Sequence, residues 1–358
     1  MKITAIETAV YQWERKIPIT NGLHTYPTHT LGLIKIKTDE GIEGIGYGKV
    51  QLVKQFEEQL LGEDPLCVER IWHKLWIPKL VGRRGPTTNA ISSIDIALWD
   101  IRAKAAGMPL YKLLGGAKDR IPVYIAGGYY QEGKDLPALA QEMKDYIAMG
   151  ATAVKMKVGA KSISEDAKRV EAVRKAVGDE IKVMVDANCA YNLHEAIMFA
   201  KRIEEYSPYW FEEPVQPDDY DGFRRIGEAT SIPVATGENE YTRFGFRDLL
   251  NQGQVPILNA DAFVLGGITE FMKVAALAQA HNRMIAPHGD QTIHVHLQCA
   301  IQNSLILEYY PERFYDLKDT VYTYSLGLNS DGTVSPPAVP GHGFYPNEDF
   351  LKPYRIDI

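Results

Sequence analysis

Three acidic residues recur at an even interval: Asp186 in VMVDAN, Glu212 in WFEEP and Glu238 in ATGEN, 26 residues apart each time (212−186 and 238−212). That interval is about one strand-plus-helix repeat, so it predicts one carboxylate on each of three consecutive parallel strands. Carboxylate oxygens aimed at a common centre repel one another unless a hard cation sits among them. Three acidic ligands completed by water and substrate suit Mg²⁺, with Mn²⁺ as a substitute. Glu212 and Glu213 are adjacent and must point in opposite directions. Glu212 is the expected ligand, because Glu213 precedes Pro214 where the strand is ending, which leaves Glu213 as a hydrogen-bonding support.

A second group carries proton-transfer chemistry. Lys155 and Lys157 in AVKMKVG lie two apart, on one side of their strand. Crowded ammonium groups that also face a cation are expected to have a lowered pKa, which suits a base. Asp261 and His288 fall on the expected sixth and seventh strands, where a carboxylate would fix the imidazole tautomer and raise its basicity, giving an acid/base on the far side of the cavity. Glu308 ends the eighth strand; if protonated, it could donate to a developing oxyanion. His294 and His296 in TIHVH read as packing or capping residues.

These residues need a frame that gathers side chains scattered over more than 150 positions. From about residue 120, short apolar strands are expected at 123–126, 153–157, 182–186, 209–212, 232–236, 260–264, 284–288 and 305–308. Amphipathic segments at 165–177, 193–206 and 269–281 lie between them, while the crossover near 293–303 has no readable period. Eight parallel strands point to a closed barrel, whose strand C-termini share the face where such enzymes place their sites. Before it, strands at 2–11, 31–37 and 42–48 precede a helical pattern strongest over 90–106, an α+β arrangement. The Gly-, Pro- and Tyr-rich tail from about 319 is expected to pack back across that first unit.

Composition removes several alternatives. A chain of 358 residues with 45% hydrophobic residues can bury more than one core. Its net charge of −7 argues against nucleic acid or an anionic membrane as a partner. Cys67, Cys189 and Cys299 lack metal-ligand spacing and read as free thiols in a reducing compartment. An N-terminus without an apolar signal core, and no run of roughly 20 apolar residues, leads to the expectation of a cytoplasmic protein.

With these positions in hand, the chain resembles the mandelate racemase subgroup of the enolase superfamily over essentially its whole length. SIDIALWDIRAKAAGMPLYKLLGG, residues 93–116, is similar to that family's capping-domain helix and exit turn, and KMK to its Lys-x-Lys motif. The resemblance implies a (β/α)7β TIM-type barrel with an N-terminal α+β capping domain, divided as cap 1–120, barrel 121–318 and returning segment 319–358. It also implies Lys157 as base with Lys155 as electrostatic neighbour, Asp186, Glu212 and Glu238 as metal ligands, His288 and Asp261 as a dyad, and Glu308 as an electrophilic acid. Asn188 in DAN matches a position that contacts metal-bound water or substrate. Specificity would come from cap loops at 15–30 and 49–54, the first of which carries Thr20, Asn21, His24, Tyr26 and His29.

The implied chemistry is removal of a proton next to a carboxylate, most simply in the dehydration of an acid sugar. Cycloisomerisation of a lactone or anhydro sugar acid, and racemisation of a 2-hydroxy acid, use the same machinery. A carbohydrate-binding barrel without catalysis would not require opposed proton-transfer groups. Zinc hydrolysis would need more strand-end histidines than His288. A small-molecule carboxylate is the expected partner, and the family resemblance suggests a symmetric homo-oligomer.

Overall fold

The computed structural model describes residues 1–82, 84–311 and 321–357. At its N-terminal end lies an antiparallel sheet of β1 (Ile3–Thr20), β2 (Thr25–Thr38) and β3 (Glu43–Tyr47). Alternation along β1 drives both faces to be covered. Ile3, Ile6 and Val10 pack toward the helices, while Tyr11 and Trp13 pack toward the C-terminal segment with Val321 and Leu351.

Segment 15–30, expected as a loop, is mostly strand. After a register shift between Glu14 and Ile19, the pairs Ile19↔Tyr26 and Thr20↔Thr25 extend the hairpin as a projecting arm, which leaves only 21–24 as its turn. The β-branched and aromatic residues in those pairs favour the ladder.

Two helices lie on the sheet: α1 (Val68–Leu75) and α2 (Pro86–Ala105). Helix α2 is buried nearly all round, because it is sandwiched between the sheet and the next unit. The contact is close: a Cβ on Gly44 or Gly46 would lie 2.2 Å from the carbonyl oxygen of Ala97 or Ser93. Asp95 of α2 accepts from the Thr269 backbone N–H (2.8 Å) and hydroxyl (2.6 Å), and the indole of Trp72 donates to the Gly266 carbonyl (2.7 Å).

The remainder is a parallel barrel of β4 (Ile121–Gly127), β5 (Ala153–Lys157), β6 (Lys182–Asp186), β7 (Trp210–Glu212), β8 (Val234–Thr236), β9 (Ile257–Leu258), β10 (Met284–Ile285) and β11 (Leu307–Tyr309). Each strand pairs with its neighbour in order, and β11 pairs with β4. The ring closes between β10 and the residues before β11 through Ile285↔Ser304, with Ile285 N–H on Asn303 O at 2.9 Å and Leu305 N–H on Ile285 O at 2.8 Å.

Two expected strands are misplaced. The sixth occupies 257–258 rather than 260–264, and the seventh ends at Ile285 rather than at residue 288. Asp261 and His288 therefore sit past their strands. The apolar run at 260–264 is a turn in which Ala260 and Ala262 pack into the core beneath the helix Gly267–Ala280, so apolarity there reported burial rather than extension.

The unreadable last crossover is the helix Gln291–Ala300, whose every residue is buried and which therefore carries no amphipathic period. Among the described tail residues, Arg355–Ile356 add a strand to β1, Thr333–Val334 pair with β4, and the Tyr47 hydroxyl donates to Phe344 O at 2.7 Å. The boundary expected at 318–319 lies outside the described residues. No described helix is long and apolar enough to cross a membrane.

Candidate active site

Parity along the strands decides which side chains meet. Tyr124, Ala126, Ala153, Met184, Trp210, Ala235, Ala286 and Ile306 fill the barrel interior, large residues against small. Two or four positions further on, at the C-terminal ends and facing the same way, come Lys155 and Lys157, Asp186, Glu212 and Glu308. Lys157, Asp186 and Glu212 are direct register neighbours across β5, β6 and β7.

Lys155 is fully buried and lies 2.6 Å from Glu212 Oε1, 2.8 Å from Glu308 Oε1 and 3.6 Å from Asp186 Oδ2, with the Tyr124 hydroxyl at 3.3 Å. Lys157 is ion-paired with Asp186, and its ammonium stands 5.4 Å from the centre of the Tyr129 ring. The expected lowering of the lysine pKa does not hold in this arrangement. Burial pushes both lysines down, but Glu212 and Glu308 around Lys155, and Asp186 beside Lys157, outweigh it and hold both above the ordinary value.

Glu308 also departs from the protonated form considered for it. Burial raises its pKa, yet Lys155, His288, Lys157 and the Gly289 N–H (2.7 Å) together bring it to about 2, so it stands as a carboxylate.

On the other side of the ring, His288 Nδ1 is 3.0 Å from Asp261 Oδ2 and Nε2 is 3.6 Å from Glu238 Oε2. Burial opposes the charged ring, but Glu238, the Asp261 hydrogen bond and Glu308 raise it to about 10. In the turn that follows Asp261, residues 262–266, the Phe263 N–H returns to Asp261 Oδ1 at 2.8 Å, which fixes the carboxylate that orients the imidazole. His294 accepts from Ala262 N–H (2.9 Å) and faces Asp290 O, and His296 bridges Tyr111 N–H and His342 O. Both are buried packing residues, in line with their sequence reading.

The donor chemistry around Asp186, Glu212 and Glu238 fits a hard divalent cation. All offer oxygen donors, and Glu238 Oε2 is buried without a hydrogen bond, as is the side-chain oxygen of Asn188. Burial and mutual repulsion raise Glu212 to about 7 and Glu238 to about 8, a cost that a cation would remove. Among the described residues, no three acidic, histidine or cysteine side chains stand gathered as a preformed cluster. Lys157 is paired with Asp186, and Glu212 is held by Lys155 and by the indole N–H of Trp210 at 2.7 Å.

Glu213 turns away at φ 43° and accepts from Thr236 Oγ1, Gly237 N (3.1 Å), Asn239 Nδ2 (3.0 Å) and Cys189 Sγ (2.9 Å). It thereby ties the Asn188 turn to the loop that carries Glu238.

A cavity of about 410 Å³ opens between the cap and the barrel, lined on the barrel side by Tyr129, Asp261, His288, Gly289 and Tyr310 and on the cap side by Arg15, His29, Lys49, Gln51 and Asn89. His29 packs on Trp13 (ring centres 4.7 Å apart), and burial together with Arg15, 2.9 Å from its Nδ1, lowers it to about 4, which keeps it neutral. His24 and Tyr26 lie exposed near the hairpin tip and do not line this cavity.

Sequence reading passed over Tyr124, Trp210, Tyr129 and Tyr310. For Trp210 a signal existed, since it lies two residues before Glu212 and must share its face. Tyr129 and Tyr310 follow the strand ends, where no period applies.

Comparison with known proteins places this geometry. Residues 138–350 match the enolase C-terminal domain-like family model, and residues 3–115 match that of the mandelate racemase / muconate lactonizing enzyme N-terminal domain. Arabinonate dehydratase of Saccharolobus solfataricus is 36% identical over 96% of this chain and 95% of its own. The 3,6-anhydro-alpha-L-galactonate cycloisomerase of Streptomyces coelicolor is 34% identical over 95% of this chain and 96% of its own. The crystal structure of a racemase from Streptomyces coelicolor A3(2) with bound magnesium superposes with a TM-score of 0.91 at 31% identity, covering 99% of this chain and 100% of that one.

Proposed function

Because this chain belongs to the mandelate racemase / muconate lactonizing enzyme family, we propose that it removes the proton next to the carboxylate of an acid sugar and eliminates the β-hydroxyl, giving a 2-keto-3-deoxy acid. The observation that carries this reading is that an ammonium group and an imidazole, Lys157 and His288, come from separate sectors of the barrel and both act electrostatically on Glu308. Lys157 ends β5, and His288 follows β10, with two strands between them on one side of the ring and four on the other.

Asp186, Glu212 and Glu238 would hold Mg²⁺, which when bound supplies Lewis-acid stabilisation of the charge that builds on the substrate carboxylate. Lys157 or His288 takes the α-proton once in its neutral form; for Lys157, the Asp186 carboxylate that holds the ammonium charged would be engaged by the cation instead. Lys155, buried and positive, faces the same developing charge, and Glu308 keeps that ammonium in place. Asp261 holds the His288 ring so that Nε2 faces the site. For dehydration, His288 hands its proton to the β-hydroxyl, the C–O bond breaks, water leaves, and the enol tautomerises to the 2-keto acid.

The cap side supplies Arg15, His29, Lys49 and Gln51, donors suited to a hydroxylated, anionic chain. Similarity to a cycloisomerase over 95% of the chain favours one second reading, in which the departing oxygen belongs to a ring and the same proton transfers open or close it.

The test is to screen mono- and diacid sugars with Mg²⁺ for 2-keto acid formation and for solvent deuterium at the α-carbon. Lys157→Ala and His288→Asn should each lose at least about a thousandfold in turnover, within the range of a lost general base or acid. Near-normal rates in both would remove the assignment.

A further inference from the structure

We propose that Tyr130, Asp166 and Arg169 are positioning residues that fix the backbone of Lys157 and tie it to the seating of the cap hairpin on the barrel, an inference that rests on Lys157 as the base. Arg169 and Asp166 belong to the helix Ile163–Val177, which follows β5, and both are buried. The Arg169 guanidinium donates to the carbonyls of Gly128 (2.8 Å) and of Lys157 itself (3.3 Å). It therefore joins the end of β4 to the end of β5 at the residue whose side chain must reach the substrate.

The guanidinium is held in turn. Asp166 Oδ1 lies 3.4 Å from Arg169 Nε, and the Tyr130 ring packs on the guanidinium carbon at 4.2 Å. Asp166 also accepts the Tyr130 hydroxyl (2.6 Å) and the backbone N–H groups of Gly159 (2.8 Å) and Lys161 (3.3 Å), so one buried carboxylate organises the whole turn after Lys157. A buried ion pair of this kind gives little net stability for the desolvation it requires. What it supplies here is a fixed direction for two carbonyl groups.

The same tyrosine reaches the cap. The Tyr130 N–H donates to Thr20 O at 2.9 Å as part of an antiparallel bridge to the last residue of β1. Two residues on, Gly22 sits so close to the ends of β5 and β6 that a Cβ there would stand 2.7 Å from Ala190 Cβ, 2.9 Å from Ala187 O and 3.2 Å from Val158 O. The hairpin tip thus rests on the residues that follow Lys157 and Asp186, and displacing it pulls on Tyr130. A base misplaced by about 1 Å can lose on the order of a hundredfold in rate.

The experiment compares Tyr130→Phe, Arg169→Lys and Gly22→Ala with the unaltered enzyme and Lys157→Ala, on an acid sugar that yields 2-keto acid. Tyr130→Phe keeps the ring over Arg169 and removes only the hydroxyl bonds. It should lower kcat at least about tenfold with KM within about twofold and a melting temperature lowered by no more than about 4 °C, and Arg169→Lys should do the same. Gly22→Ala should lower kcat and also raise KM, because it lifts the hairpin.

A readout that needs no substrate is the rate of trace acetylation of Lys157 by acetic anhydride, located by mass spectrometry. It should change several-fold in Tyr130→Phe, while that of Lys155 does not. Normal kcat and unchanged Lys157 labelling in Tyr130→Phe, with Lys157→Ala inactive, would overturn the inference and leave the base assignment standing. An active Lys157→Ala would overturn both. If Arg169→Lys fails to fold, the Tyr130→Phe results decide alone.

Discussion

Acidifying the metal-free protein should weaken Mg²⁺ binding steeply, and the structure sets how steeply. Glu212 stands at about 7 and Glu238 at about 8, both raised by burial and by the neighbouring carboxylates, whereas Asp186 is kept low by Lys157 and Lys155. A carboxylate with a raised pKa carries its proton at and below that pH, and a proton must leave before the oxygen can coordinate. At pH 6, Glu238 is protonated by about 100 to 1 and Glu212 by about 10 to 1, a combined penalty of about a thousandfold; at pH 8 the same penalty is about twofold. Because the groups interact, the steps belong to the pair, and the expected loss from pH 8 to pH 6 is two to three orders of magnitude.

Isothermal titration of the metal-free protein with MgCl₂ at pH 6, 7 and 8, in two buffers of different ionisation enthalpy, measures both the affinity and the protons released. Glu238→Gln should abolish most of the pH dependence together with most of the affinity. An affinity constant within threefold across that range, with no proton release, would refute the assignment of these carboxylates as ligands.

Three further outcomes follow from buried groups away from the chemistry. His296, neutral because burial lowers it to about 3, should destabilise the protein as pH falls below the unfolded value near 6.5, since only the unfolded chain then takes up the proton. Between pH 7 and 5 this is about 2 kcal/mol, or about 3 °C in melting temperature for a chain this long, and it should disappear in His296→Gln; equal shifts in both proteins would refute it. Asp95→Ala should cost about 1–3 kcal/mol by stripping the acceptor from Thr269 N–H and hydroxyl at the start of the helix Gly267–Ala280, and a variant melting with the parent would deny that the cap–barrel contact depends on it. Glu213→Gln should weaken Mg²⁺ about 10- to 100-fold without touching the metal, because Thr236, Gly237, Asn239 and Cys189 all donate to that carboxylate; unchanged affinity would make Glu213 a purely structural residue.

Sequence by itself determined the barrel and the parity that builds its site. A side-chain period of two, repeated on strands one βα unit apart, forces Lys155, Lys157, Asp186, Glu212 and Glu308 to one rim, and only closure of the ring is needed to bring them within 4 Å of one another's partners. Where that period stops, so did the reading. Asp261 and His288 lie beyond β9 and β10, in turns shaped by packing, and an apolar run at 260–264 looks the same whether it is strand or buried turn. The arm at 15–30 reads as a loop because its pairing is with itself and its support comes from Tyr130, about 100 residues away.

Charge state was the least legible property of all. Two lysines two apart predict mutual repulsion, yet tertiary structure surrounds them with Glu212, Glu308 and Asp186, so their pKa rises instead of falling. Periodicity is a local property of the chain and survives in its letters. The electrostatic environment of a buried group is a sum over neighbours from separate segments, here β4, β6, β7 and β11, and only the folded arrangement says which of them are near.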